Sequence, residues 1–246
     1  MQKNSFDIIL EKAIKLPGIK IDRREFLIEE LSRYFSKNIV EKAVIENPAI
    51  AGIEVEDMKK IASKCIKEEI IRTTLISTII GIPGGTAIAG TILVDVTQYF
   101  GHILRVVQKL AYLFGWADMY DNEGNLKPDT MEHLTLFMGV MFGVDLADNA
   151  VVKLAQSAAL NVEKKILQRA LTRSAIYPLT KKVASILGVR ITEQSFSKGV
   201  TKMIPLIGGG ISGLVTYITF KPLVLNLKEA LEELPLADTA FYRKKV

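Results

Sequence analysis

The chain has 246 residues, of which 49% are hydrophobic, 24% charged and 7% aromatic, with a net charge of +5. This is enough chain to bury a sizeable core, and it reads as one all-helical domain over 1–246. A single cysteine, Cys65, excludes an intrachain disulfide and fits a reducing compartment, and the charged N-terminus MQKNSFDIILEKAIK has no apolar stretch of the kind a secretory leader needs.

Phe6, Ile9, Leu10, Ala13 and Ile14 recur at helical spacing and predict an amphipathic helix within residues 1–15, closed by Pro17 and Gly18. Asp22 stands three residues before Glu25, a capping-box spacing. The helix it opens is expected to reach Phe35 and to bury Phe26, Leu27, Leu31 and Phe35. A third helix covers Asn38 to Val44, with Pro48 and Gly52 marking the loop after it. From Val55 a long helix turns Met58, Ile61, Ala62, Cys65, Ile66 and Ile70 inward. Lys59, Lys60, Lys64, Lys67, Glu68 and Glu69 face mostly outward, and Cys65 reads as a passive buried residue.

No charge occurs from Thr73 to Val94. A bilayer crossing takes about 20 apolar residues, so length alone permits a span. Gly81, Pro83, Gly84 and Gly85 interrupt it, and proline disfavours helix at the residue before it. Two helices joined by a Pro-Gly-Gly turn are expected instead, each apolar half too short to span. Gly81, Gly85, Ala89 and Gly90 would permit close backbone approach, either inside a helical core or in an apolar hairpin that enters a membrane. A phosphate-binding loop fits worse, because no Lys-Ser/Thr follows the glycines.

The next helix carries Asp95, Gln98, His102, Arg105 and Lys109 at spacings of three and four, which places them on one face. Ile92, Val96, Tyr99, Ile103, Val106, Val107 and Leu110 fill the rest, so the helix is expected to be mostly buried with its polar stripe on a seam. Asp95, His102 and Arg105 form a weak candidate polar site, with a satisfied internal network as the competing reading. No nucleophile set or metal ligand set accompanies them. The turn ADMYDNEGNLKPD lacks EF-hand spacing, since Met119 stands five before Gly124. Asp129 is expected to cap the following helix, with His133 on the surface beside Glu132 and with Gly139 and Gly143 repeating the small-residue spacing.

Asp145 to Arg173 reads as one or two helices with Ala147, Ala150, Ala155, Ala158 and Ala159 on packing faces. Tyr177 and Pro178 break the pattern, and helices to Leu187 and from Glu193 to Met203 follow. A second uncharged stretch, Met203 to Phe220, contains Pro205, Gly208, Gly209, Gly210 and Gly213 and leads into a last helix over about Ile211 to Leu234. The two glycine-rich helices are expected to pack together at the centre. The basic end Tyr242-Arg243-Lys244-Lys245 is expected to be mobile. Charge is uneven. Asp118 to Asp148 is acidic, whereas Lys153 to Lys202 is basic and includes Lys164, Lys165, Arg169 and Arg173, a surface suited to anionic lipid. Nucleic acid is not expected, for want of a recognition motif or an aromatic stacking platform.

Three segments carry a family resemblance: IPGGTAIAGTILVDVTQYFGHILRVVQKLAYLFGW, LTLFMGVMFGV and IPLIGGGISGLVTYITFKPLVLNLKE, joined by the early KLPGIKIDRREFLIEEL. Together they resemble the EcsC family, named after a protein encoded with an ABC transporter in Gram-positive bacteria. That resemblance implies a fold and a membrane neighbourhood. It implies no catalytic residues, because the family has no agreed activity.

The expectation is a non-enzymatic, cytoplasmic protein, peripheral at the inner face of the cell membrane, that needs no cofactor or metal. Gly84, Gly85, Gly90, Gly208, Gly209, Gly210 and Gly213 would form its insertion or packing core, and Lys164, Lys165, Arg169 and Arg173 its lipid-facing charge. Its partner would be anionic lipid or a membrane protein such as an ABC transporter. The alternatives are a soluble protein-binding adaptor and an enzyme with its site at Asp95, His102 and Arg105.

Overall fold

The computed structural model describes residues 5–80, 88–160, 178, 181–186 and 213–244. Among these no strand forms, and one isolated bridge joins Tyr120 and Leu126, so the fold is all-α. In chain order the helices are α1 (Ser5–Ala13), α2 (Arg23–Leu31), α3 (Lys37–Ile45), α4 (Val55–Ile80), α5 (Ile88–Leu113), α6 (Thr130–Met141), α7 (Asp145–Leu160), α8 (Gly213–Glu232) and α9 (Thr239–Arg243). A 3-10 turn, Pro235–Ala237, precedes α9. Residues 181–186 are also helical.

Each helix begins and ends for a local reason. Asp22 accepts a hydrogen bond from the Glu25 amide at 2.8 Å, as the capping spacing predicts. Gly115 and Gly143, at φ 91° and 65°, close α5 and α6. In both, the residue after the glycine donates back to the carbonyl five earlier (Trp116 to Ala111 at 3.0 Å, Val144 to Gly139 at 2.9 Å), a Schellman closure. Asp129 occupies the N-cap position of α6, but its side chain does not make the expected cap hydrogen bond.

α5 is the central element. It packs on α1, α2, α4, α6 and α8. Phe100 is fully buried, its ring 6.2 Å from Phe6 and 6.4 Å from Phe142. Beside it Gly101 leaves room for Ile19, whose Cδ1 would lie 2.9 Å from an added Cβ.

The direction of the central helices follows from their contacts. Glu69 of α4 meets Arg105 and Lys109 of α5, and Cys65 and Ile66 share a small apolar crevice with Val106 and Leu110. The two helices are therefore antiparallel. Lys59 near the start of α4 lies 3.7 Å from Glu232 at the end of α8, and Tyr99 stacks edge-on against Phe220 at 6.1 Å. α8 thus runs antiparallel to α4 and parallel to α5. The end of α4 and the starts of α5 and α8 gather at one pole. There the backbones of 73–80, 88–94 and 213–220 are helical and the sequence holds no charged residue. At 1.5 Å per residue this uncharged end is roughly 10–12 Å deep.

The expected packing of the α5 and α8 helices against each other is thus observed. Gly84, Gly85, Gly208, Gly209 and Gly210 lie outside the described residues, as do Lys164, Lys165, Arg169 and Arg173. Gly90 and Gly213 lie on α5 and α8.

Several expectations change. Phe35 lies beyond the end of α2 and is half-buried. Gly143 serves as a helix terminator, whereas Gly139 is the close-packed glycine: a Cβ there would meet Ala147 Cβ and Val183 Cγ1, each at 2.6 Å. Ala158 is exposed while Ala147, Ala150, Ala155 and Ala159 are buried. His133 is half-buried rather than on the surface, its ring 5.6 Å from that of Trp116. The C-terminal segment is tied down rather than mobile as far as Arg243. Thr239 donates to Glu54 at 2.6 Å, Arg243 pairs with Glu54 at 2.5 Å, and Asn47 donates to the Leu236 carbonyl and to the Tyr242 hydroxyl.

Candidate functional site: a charged cleft on the central helices

Of the polar stripe of α5, Arg105 and Lys109 face a seam with α4. Their principal partner is Glu69, which the periodicity of α4 had assigned to the outward face. The assignment fails because Met58, Ala62, Cys65 and Glu69 follow one another at spacings of four, three and four, so Glu69 continues the buried ridge. Its side chain is 2% exposed.

Glu69 is held by two cations. Arg105 reaches it through Nε and Nη2 at 3.2 and 3.1 Å, and Lys109 Nζ lies 2.6 Å from Oε1. Arg105 also donates through Nη1 to the Gly18 carbonyl, and Lys109 sits 5.6 Å above the Phe26 ring. Burial pushes the Glu69 carboxyl upward, but the Arg105 hydrogen bonds and the Lys109 charge together outweigh it and hold it below the ordinary range.

This node forms one wall of an open cleft of about 420 Å³ between α2, α4 and α5. Lys20, Phe26 and Arg72 line it with Arg105 and Lys109. Six carboxylates, Asp22, Glu25, Glu29, Glu30, Glu68 and Glu69, line it too and outnumber its four cations, and two cations outside the lining are shared among three of these acids. Arg33 pairs with Glu29 and Glu30 at 3.1 Å, and Lys64 lies 3.7 Å from both Glu30 and Glu68.

Two buried side chains outside the predicted stripe hold the surroundings in place. Gln108, fully buried, accepts from the Ile21 amide at 3.1 Å and from the Tyr120 hydroxyl at 3.2 Å. It donates to the Ile19 and Leu104 carbonyls at 3.0 and 2.9 Å, which fixes the loop before α2 against α5. Arg23 donates to Trp116 O, and to Val44, Ala43 and Glu46 at the end of α3, where the last carbonyls of a helix lack partners. Burial pulls its guanidinium down, against the charge of Asp118. Arg23 gave no periodic signal because it sits in a polar first turn. Gln108 could have been found, since it falls between Leu104 and Ala111 on the apolar arc.

Of the candidate polar site Asp95, His102 and Arg105, the structure places the side chains of the last two. Arg105 lines the cleft, but His102 does not. His102 is half-buried, its Nδ1 has no hydrogen-bond partner among the described residues, and burial lowers its pKa against the pull of Glu69. Asp95 and Gln98 lie on α5, with side chains outside the described set. Among the described residues no three His, Cys, Asp or Glu side chains are grouped to hold a metal, and no helix is long and apolar enough to cross a membrane. Cys65 is buried and its thiol is pushed up to about 12, chiefly by desolvation.

No family model, curated protein or solved structure matches this chain.

Proposed function

We propose that the protein is a non-enzymatic binding protein that docks onto a membrane surface through the uncharged pole of its central helices. The observation that carries this reading is the convergence of the end of α4 and the starts of α5 and α8, each uncharged for roughly 10–12 Å. The hydrocarbon core of a bilayer is about 30 Å thick, so a pole of this depth enters one leaflet and stops. Such a docking buries apolar surface without a span and belongs with interfacial anchoring. Arg72, Asp95 and Lys221 are the first charges met along α4, α5 and α8, and they mark where the headgroups would begin.

The resemblance to the EcsC family carries the proposal one step further, to an accessory of an ABC-type transporter at the inner face of the cell membrane. The basic stretch with Lys164, Lys165, Arg169 and Arg173 would add attraction to anionic lipid.

Flotation of the purified protein with neutral and anionic liposomes, at low and high salt, tests the reading. Binding that survives high salt is expected. Binding abolished by salt would leave only electrostatic attachment, and no flotation at all would favour a soluble adaptor for a protein partner.

A further inference from the structure

We propose that His102 is a proton-operated latch on the uncharged pole. Neutral, it lets α5 pack against α4; protonated, it parts the two helices just below the pole and frees the pole to enter the bilayer. As to what the release accomplishes, this rests on the membrane-docking reading above.

Packing is the first argument. Tyr99, His102 and Arg105 follow one another at spacings of three, so they share one side of α5. Tyr99 meets Phe220 of α8 at the base of the pole, and Arg105 meets Glu69 of α4. His102 lies between them on the helix, with Nδ1 buried and no hydrogen-bond partner among the described residues. The Tyr99 hydroxyl, one turn nearer the pole, is likewise buried without one. Two successive turns of α5 thus carry polar atoms whose hydrogen bonds the packed state leaves unmade, and such atoms weaken the packing around them. The seam is held less firmly here than at the Glu69 node one turn further on.

Charge is the second argument. A neutral imidazole keeps one nitrogen as a bare lone pair, whereas the imidazolium has two N–H groups that both need acceptors. The charges that act on His102 are Glu69 and Arg72 from α4 and Arg105 from α5 itself, and no charge of α1, α2, α6 or α8 is among them. Glu69 favours a proton on the ring, but its carboxylate already holds Arg105 at 3.1 Å and Lys109 at 2.6 Å. Burial pulls the pKa of His102 below its ordinary 6.5; the Glu69 charge opposes this, and Arg105 and Arg72 add to it. The packed seam therefore favours the neutral ring. It is at full strength above pH 6.5 and weakens as the pH falls below that value. Glu69, held below its ordinary 4.5, keeps its charge meanwhile.

The test uses the full-length protein and reads the seam and the membrane separately. Hydrogen exchange of the amides in the C-terminal half of α4, corrected for the intrinsic pH dependence of exchange, reports opening of the seam. Between about pH 7.5 and about pH 5 the wild type should lose about three- to thirtyfold of its protection there, the upper limit being a packed state that excludes the proton entirely. His102→Gln and His102→Leu should show no such loss. His133→Gln removes the other histidine, which packs on Trp116 and Phe137, and should keep it. No loss in the wild type, the same loss in the His102 variants, or its disappearance in His133→Gln would overturn the latch. Flotation with phosphatidylcholine vesicles, whose headgroup does not titrate in this range, tests the release. The wild type should bind severalfold more tightly in acid, and the His102 variants equally at both pH values. Exchange as expected with flotation unchanged by pH would overturn the link between latch and docking. Failure of every protein to float at either pH would refute the docking reading itself, while exchange still decides the latch.

Discussion

Glu69→Ala removes the carboxylate on which Arg105 and Lys109 both depend, while leaving those two cations about a tenth exposed. Taking one partner from a buried ion pair costs about 3–5 kcal/mol, because the remaining charge stays buried without compensation. Arg105 keeps the Gly18 carbonyl and Lys109 keeps the Phe26 ring, so the lower end, about 3 kcal/mol, is expected. In urea denaturation this corresponds to a midpoint drop of roughly 1 M, for a slope of about 3 kcal/mol per M. The effect also has a pH signature. The folded-state pKa of Glu69 is held below its ordinary value of 4.5. The stabilisation is therefore fully present above pH 4.5 and is lost as the pH falls through the depressed folded value. The difference between wild type and variant should be widest near neutrality and should shrink in acid. A loss under about 1 kcal/mol at neutral pH, or a loss that is the same in acid, would refute the reasoning.

Arg23→Met should cost about 3 kcal/mol, because it strips partners from four carbonyls of α3 and the α5 terminus, and thermal denaturation measures this. Gly115→Ala should cost about 2–4 kcal/mol, since φ is 91° and the new Cβ would lie 2.6 Å from the Leu236 carbonyl oxygen. Gly143→Ala has the positive φ without the clash and should cost about 1–2 kcal/mol, so the two variants separate strain from crowding. The Cys65 thiol, 1% exposed and with its pKa raised to about 12, should react with a thiol reagent in the native protein far more slowly than in denaturant.

The amphipathic helices were legible wherever apolar spacing alone decided burial. Phe6, Ile9, Leu10, Ala13 and Ile14 of the first helical segment, and Met58, Ile61, Ala62, Cys65, Ile66 and Ile70 of α4, are all buried as the periodicity implies. The Asp22 cap was legible because its chemistry is local. What escaped the sequence was polar burial. Glu69 was set outward because it is charged, although its ridge runs through Cys65 and Ala62. Arg23 was invisible because its partners are backbone carbonyls 20 to 93 positions away. His133 was placed on the surface because its aromatic neighbour Trp116 comes from another element. Arg105 and Lys109 of the α5 stripe share one partner, Glu69, which comes from α4, and no single-helix pattern could name it.

The most direct test of the membrane-docking claim is a depth measurement on two single-cysteine proteins in a Cys65→Ser background. One carries a fluorophore at Ser77→Cys within the uncharged end of α4. The other carries it at Lys60→Cys, about 25 Å back along the same helix. With vesicles containing brominated acyl chains, docking through the pole predicts strong quenching of the label at 77 and little at 60. Equal quenching at both positions, or none at either, would contradict it.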